Sequence, residues 1–212
     1  MPTPVKVWDG DMENEGVDAI AAGALFSIAL KDGKVYGWGW NIYGELGVGD
    51  YYNKNVPTII TGALESKTVK AIAAGENHSL ALTTDGKVYS WGINAFGQLG
   101  TIGSDIRNSP QEIDGGEMGN GGVEAIAAGR AFSLALKGGV VYSWGANFDG
   151  QLGTGPLDTD NKRSPVKVQD GLMVNSGIQA IAAGGNFSLA LTADGKVYAW
   201  GDNTYGQSAA GD

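Results

Sequence analysis

The sequence has 212 residues, of which 42% are apolar and 36 are glycine, and it contains no cysteine. A chain of this size can bury about 70% of its unfolded surface, which excludes a disordered chain and allows one sizeable globular unit. The net charge of -9 disfavours nucleic acid as a partner, because the chain would repel a phosphate backbone. No segment approaches the ~20 apolar residues that span a bilayer, so no membrane partner is predicted.

A unit of about 52 to 55 residues occurs four times along the chain. Each copy opens with a run of small apolar residues, continues through an aromatic position and Ser-Leu-Ala-Leu or a close variant, and ends near Val-Tyr-x-Trp-Gly-x-Asn. Repeats of this length are typical of propellers and solenoids. We therefore predict a single unit over residues 1–212, with repeats at about 17–68, 69–122, 123–177, and 178–212 together with 1–16.

Four strands are predicted in each repeat, in a constant order. The Ala-Ile-Ala-Ala-Gly run indicates a strand packed close to other backbones, where a larger side chain would not fit. In the second copy, leucine alternates with small residues over 79–82, Asp85-Gly86 follows, and residues 88–91 run back, which predicts a β-hairpin with one buried face. A Pro-containing segment such as residues 164–168 predicts a fourth strand at an edge. No helix is predicted, so the fold class is all-β.

Two segments of the second repeat carry a family resemblance. Gly75-Glu76-Asn77-His78-Ser79 and the Trp-Gly-x-Asn-x-x-Gly-Gln-Leu-Gly pattern of residues 91–100 resemble the repeats of the regulator of chromosome condensation family. The resemblance covers essentially the whole chain in four copies. It implies a β-propeller with one four-stranded blade per repeat, hence four blades per chain.

His78 is the only histidine, and its position in the repeat argues against a catalytic role. The equivalent residues in the other copies are Phe26, Phe132 and Phe187. A ring at this position is therefore predicted to pack inside the fold. With one histidine and no cysteine, the usual hydrolase triads and zinc sites cannot be assembled. We predict no enzyme activity, no catalytic residue, no metal and no cofactor.

The fourth repeat lacks the Pro-containing strand, and the N-terminus resembles the missing piece. Residues 3–10 match residues 164–171 almost residue for residue. We predict that this N-terminal strand completes the fourth blade and closes the propeller, which would remove an exposed sheet edge. Four blades closing alone would need about 90° per blade, whereas the family resemblance implies seven blades at about 51° each. Two chains would give eight blades at about 45° each, so we favour a homodimer with exchanged terminal strands. A compact four-bladed monomer and a piece of a longer propeller are the alternatives.

Function is predicted to lie where the copies differ within matching loops, because loops on a rigid scaffold carry binding residues. The first copy places several aromatic residues in such loops, a composition favoured in binding hot spots. The predicted partner-binding residues are Trp40, Tyr43, Tyr51, Tyr52, Asn77, Arg130, Asn186 and Asp202. The leading hypothesis is a noncatalytic protein-protein interaction or assembly module whose partner is another protein. The alternatives are a minimal or designed propeller that only self-assembles, and a guanine-nucleotide exchange regulator of a small GTPase.

Overall fold

The computed structural model describes residues 3–13, 15–103, 105–169, 171–173 and 177–209. Both ends of the predicted unit, residues 1–2 and 210–212, therefore lie outside the described residues. Fifteen strands form within the described ranges, with three single-turn 3-10 helices between repeats, at Gly62–Leu64, Gly116–Met118 and Gly171–Met173. The strands are β1 (Ala19–Ala22), β2 (Phe26–Lys31), β3 (Lys34–Gly39), β4 (Lys54–Ile59), β5 (Val69–Ala74), β6 (His78–Thr83), β7 (Val88–Ile93), β8 (Ile106–Glu112), β9 (Ala125–Ala128), β10 (Phe132–Lys137), β11 (Val140–Gly145), β12 (Lys162–Lys167), β13 (Ile178–Ala183), β14 (Phe187–Thr192) and β15 (Val197–Gly201). No helix among the described residues is long or apolar enough to cross a membrane.

The strands form four antiparallel sheets, one for each repeat, in the order of the sequence. Three sheets have four strands, β1 to β4, β5 to β8 and β9 to β12, and the fourth has the three strands β13 to β15 within the described residues. The predicted hairpin is present in the second sheet, where Leu80 pairs with Ser90 and Leu82 pairs with Val88. An all-β fold with four sheets of this kind matches the blades of a β-propeller.

The prediction of one buried face per hairpin is wrong for the inner sheets. All six side chains of β6 are buried. Leu80 and Leu82 pack in a cluster with Ala135 and Trp144 of the third sheet, whereas Ala81 packs with Ile28 and other residues of the first sheet. Both faces are covered because each inner sheet is sandwiched between two neighbours.

A hydrogen-bonded joint connects each sheet to the next. The Trp91 indole Nε1 and the Ser79 hydroxyl both donate to the backbone carbonyl of Glu45, at 2.7 and 2.9 Å. Equivalent joints link Trp144 and Ser133 to the carbonyl of Gln98, and Trp200 and Ser188 to the carbonyl of Gln151. The repeated Trp therefore fixes the spacing between sheets through a donor that would otherwise be buried without a partner.

The loops after the first strands are also linked to one another by backbone hydrogen bonds. The amide of Ala24 donates to the carbonyl of Glu76, the amide of Glu76 to that of Arg130, and the amide of Arg130 to that of Gly185, at 2.9 to 3.1 Å. The first strands β1, β5, β9 and β13 lie beside one another in this order. Their alanines permit the close approach that the sequence predicted.

The N-terminal segment lies against the first sheet. Residues 3–9 belong to no strand. The Asp11 amide donates to the Pro57 carbonyl at 2.9 Å, and the Asp11 carboxylate accepts from the Ile59 amide at 3.0 Å. The segment thus reaches β4, and in the part of the chain that the structure describes β15 forms no ladder with residues 3–9.

Candidate functional site

The loops that follow the first and third strands of every sheet emerge at the same end of the sheets, because neighbouring strands are antiparallel. We call this surface the loop face. It comprises residues 23–25, 40–53, 75–77, 94–105, 129–131, 146–161, 184–186 and 202–209, except residue 104, which lies outside the described residues. The backbone hydrogen bonds between successive loops after the first strands hold neighbouring parts of this face together.

Exposed apolar side chains concentrate on the loop face. Of the fifteen large apolar residues that are exposed in the described part of the chain, ten lie in these loops. They are Leu25, Trp40, Ile42, Tyr51, Tyr52, Phe96, Ile102, Phe148, Leu157 and Tyr205. Single exposed apolar residues are normal on a protein surface, but a concentration on one face is typical of an interaction site.

Buried asparagines hold these loops in place. The Asn41 amide nitrogen donates to the carbonyls of Asp50 and Tyr52 at 3.0 and 3.2 Å, and its carbonyl oxygen accepts from the Leu46 amide. Asn147 makes the same bond to Leu152 in the third sheet. The asparagine of the Trp-Gly-x-Asn pattern is therefore a loop anchor, and it keeps exposed residues such as Tyr52 on a rigid support.

The eight residues predicted to bind a partner all lie on the loop face. Trp40 and Tyr51 are partly exposed and Tyr52 is 77% exposed, whereas Tyr43 is half-buried. Asn77, Arg130, Asn186 and Asp202 lie in loops of the second, third and fourth repeats. The structure thus distributes the predicted residues over one surface rather than gathering them in one cleft.

Ion pairs and hydrogen bonds occupy several of the polar candidates. Arg130 Nε donates to a Glu76 carboxylate oxygen at 2.6 Å, and this hydrogen bond to the carboxylate raises the pKa of the Arg130 guanidinium. The Asn186 amide donates to the Asp149 carboxylate at 3.0 Å. Hydrogen bonds from the Thr204 hydroxyl and amide lower the pKa of Asp202, so its carboxylate is charged at neutral pH. These groups offer fixed charges and acceptors on the loop face that also carries the aromatic residues.

Sequence reasoning missed part of the apolar surface. Phe96 and Phe148, from the second and third repeats, meet edge to face with ring centroids 5.4 Å apart, and Tyr205 is 91% exposed. Phe96 and Tyr205 occupy the repeat position of Tyr43, so comparing that position across all four copies would have found them. Phe148 has no such signal, because it stands one position earlier than Phe96 in the repeat.

His78 lies between the second and third sheets and is fully buried. Its Nε2 is 3.0 Å from the Ser133 hydroxyl, and its Nδ1 has no hydrogen-bond partner among the described residues. Burial lowers the pKa of His78 to about 4, so the ring is neutral at physiological pH. The position thus supports packing, as the phenylalanines of the other copies indicated. No group of three or more His, Asp or Glu side chains in the described ranges could hold a metal ion.

Glu45 is a second buried ionisable group that departs from the repeat. The other copies have Gln98, Gln151 and Gln207 at this position. One Glu45 carboxylate oxygen accepts from the Tyr43 amide at 2.9 Å, while Oε1 has no partner among the described residues. Burial raises the pKa of Glu45. Its backbone carbonyl, rather than its carboxylate, carries the contact to the next sheet.

Comparison with known proteins identifies the repeats. An RCC1-like domain model matches residues 1–212. The ultraviolet-B receptor UVR8 of Arabidopsis thaliana is 35% identical over 99% of this chain and 46% of its own length. The human E3 ubiquitin-protein ligase HERC2 is 38% identical over 93% of this chain and 4% of its own length.

Two solved structures extend the comparison. Human WBSCR16 superposes with a TM-score of 0.84 and 28% identity, over 92% of this chain and 50% of its own. Prp20p of Saccharomyces cerevisiae, whose structure was described with its binding properties to Gsp1p and histones, superposes with a TM-score of 0.72 and 27% identity, over 84% of this chain and 44% of its own. The chain spans about half the length of UVR8 and of these two structures. With its four repeats and their shared strand order, the chain belongs to the family of RCC1-like domains.

Proposed function

We propose that the chain is a noncatalytic protein-protein interaction module that binds its partner through the loop face. The observation that carries this proposal is the concentration of ten exposed apolar side chains on one surface. Aromatic residues dominate binding hot spots, and anchored loops reduce the entropy lost on binding. The binding of Gsp1p and histones by Prp20p supports a protein as the partner class.

The centre of the proposed site is in the first repeat. Trp40 and Tyr52 are exposed there, and Tyr52 lies in the segment that Asn41 anchors. Arg130 and Glu76 supply charge on the neighbouring repeats, where they would contribute to orientation more than to affinity. The site thus combines apolar anchors with a charged rim.

We also propose that the module is a homodimer in which two chains exchange terminal strands and complete one propeller. The support is that β14 is the one strand paired with β15 among the described residues, while residues 3–9, which are assigned to no strand, match the outer strand of the third repeat in sequence. Two copies with blades at about 45° would close an eight-bladed ring.

Site-specific photo-crosslinking would test the loop-face proposal. A photoreactive phenylalanine analogue placed at Tyr52 should crosslink a protein from a cell extract. The same analogue at Glu65, which is exposed in a connector at the opposite end of the sheets, serves as the matched control. We expect Trp40→Ala to reduce the crosslink at position 52 about tenfold or more, as loss of a hot-spot aromatic would, without a change in melting temperature.

Equal crosslinking at positions 52 and 65, or no effect of Trp40→Ala, would contradict the proposal. A guanine-nucleotide release assay with small GTPases separates the exchange-factor alternative. Accelerated nucleotide release would show that the chain regulates a small GTPase and would contradict a purely noncatalytic function.

A further inference from the structure

The exposed apolar residues outside the loop face lie at the two ends of the chain. Among the described residues they are Val5, Val7, Trp8, Ile20 and Val197. The equivalents of Val197 in the other sheets are Val35, Val88 and Val141, which are at most 3% exposed, whereas Val197 is 65% exposed. The first and fourth sheets therefore each present a face that is covered in every other sheet.

The two end faces carry complementary halves of the joint that connects the inner sheets. Trp38 and Ser27 occupy the donor positions in the first sheet, and Gln207 occupies the acceptor position in the fourth. Within the described ranges, no carbonyl accepts from Trp38 Nε1 or the Ser27 hydroxyl, and no indole or hydroxyl donates to the Gln207 carbonyl. The series of backbone hydrogen bonds between successive loops also ends in complementary groups. The Ala24 carbonyl is an acceptor at one end, and the Gly185 amide is a donor at the other.

The fourth sheet also contains a groove beside β15. It has a volume of about 650 Å³ and is lined by Tyr198 and Trp200 of β15, by the connector that includes Met173, and by the loop of the third repeat over residues 148–159. In the third repeat this place is filled by β12: a Cβ built on Gly116 would lie 2.3 Å from the Pro165 carbonyl oxygen. For Gly171, the equivalent glycine, no described atom lies within 4 Å of such a Cβ.

We infer that residues 3–7 of a second copy fill this groove as the outer strand beside β15, and that Trp38 of that copy docks on the Gln207 carbonyl. This inference rests on the proposed homodimer and names its contacts. The pairing of Ser143 with Val166 and of Tyr142 with Lys167 in the third sheet predicts pairs of Ala199 with Val5, and of Tyr198 with Lys6, across the two chains.

The exchange leaves the neighbouring contacts of the N-terminal segment unchanged. Asp11 keeps its bonds to Pro57 and Ile59 of its own chain, as Glu117 accepts from the Lys167 amide in the third repeat. Residues 3–7 of one chain would thus lie in the groove of its partner, while the connector that follows them stays on the first sheet of its own chain. The inner repeats already show this arrangement, because the outer strand of one sheet leads into a connector on the next sheet. Two such junctions close the assembly by two-fold symmetry.

Two residues make this junction weaker than the inner ones. Ser208 stands where Leu46, Leu99 and Leu152 are fully buried. Ala209, with φ 47°, stands where the inner repeats have glycine, and a Cβ on those glycines would lie 2.8 to 2.9 Å from the next indole ring. Ala209 therefore forces Trp38 of the second copy outward, and we expect a reversible dimer.

A paired cysteine variant tests the contacts directly, since the chain has no cysteine of its own. Oxidation of Val5→Cys/Ala199→Cys should give a covalent dimer of about twice 21.8 kDa on non-reducing gels. Lys6→Cys/Ala199→Cys is the matched control, because adjacent residues of a strand point to opposite faces. A disulfide within one chain would overturn the inference, since the chain would then close on itself.

Light scattering coupled to size exclusion separates this inference from the homodimer proposal. Twice the chain mass without the Val5–Ala199 disulfide would keep the dimer and overturn the contacts, whereas a single mass at micromolar concentration would overturn both.

Ser208→Leu/Ala209→Gly restores the inner-repeat residues and should tighten the dimer roughly tenfold or more. An unchanged dissociation constant would contradict the docking of Trp38 on the fourth sheet.

Discussion

The joint between the second and third sheets and the two end faces of the chain use the same repeat positions but differ in what covers them. Leu80 and Trp144 are fully buried at the inner joint. At the ends, their equivalents Leu189 and Trp38 are partly exposed. Since the strand sequences are nearly the same, burial here depends on having a neighbouring sheet. In a repeat protein, stability is therefore a property of the interfaces as much as of the repeats.

The largest expected effect comes from removing a leucine at an inner joint. Leu134→Ala should lower the free energy of unfolding by roughly 2 to 5 kcal/mol, because Leu134 is fully buried and truncation leaves a cavity. Chemical denaturation should show this loss at every protein concentration.

Leu189→Ala is the matched variant at the end face. The loss of unfolding free energy caused by this variant should depend on protein concentration, because a second chain would cover Leu189 in the dimer. Equal losses for Leu134→Ala and Leu189→Ala at all concentrations would break the distinction between inner joint and end face.

His78 allows a test of the inner joint by pH. Its folded pKa of about 4 lies below the ordinary value near 6.5, so the unfolded chain binds more protons and stability is lost as the pH falls through this range. Between pH 8 and pH 5 the loss should be about 2 kcal/mol. His78→Phe should remove this acid-dependent loss, because the phenylalanine of the other repeats does not titrate.

Denaturation curves of wild type and His78→Phe at several pH values measure the difference. The variant loses the contact to Ser133, whose hydroxyl still donates to the Gln98 carbonyl. The stability at pH 8 should therefore change little. Parallel pH profiles for the two proteins would show that His78 is not buried as described.

Glu45→Gln should have the smallest effect, a gain of about 1 kcal/mol at pH 7. The raised pKa of Glu45 means that the folded chain binds the proton more tightly, so the charged carboxylate destabilises the fold above its folded pKa. The gain should vanish as the pH falls below about 4.3, where the glutamate is protonated in both states. Melting temperatures at pH 4 and pH 7 measure it, and a loss of stability at pH 7 would contradict this account.

The sequence predicted the local elements well and the long-range contacts poorly. The alternation over residues 79–82 and the Asp85-Gly86 turn fix the hairpin, since pairing depends on neighbours in the chain. The acceptor of Trp91 could not be predicted, because it is the backbone carbonyl of Glu45 and every residue has a carbonyl. Likewise, residues 3–10 predict a strand, but its pairing could not be predicted from neighbours in the chain. The sheet edge that could pair with it belongs to the fourth sheet, far away in the sequence.

The candidate site was predicted in part for the same reason. Trp40 and Tyr52 are identifiable because they are aromatic residues in loops of the first copy. The exposure of Phe148 and Leu157 depends on the path of a long loop, which no repeat position specifies. The predicted binding roles of all eight residues stay predictions, of which the crosslinking experiment tests those of Trp40 and Tyr52.

The backbone bonds among Ala24, Glu76, Arg130 and Gly185 give the assembly a polarity. Every link has its donor in the earlier repeat and its acceptor in the later one, so the amide dipoles follow one another in a single rotational sense. Neither end can match a copy of itself, because donor would face donor or acceptor would face acceptor. A further repeat can therefore join either end of this series only with the same polarity as the four repeats already present.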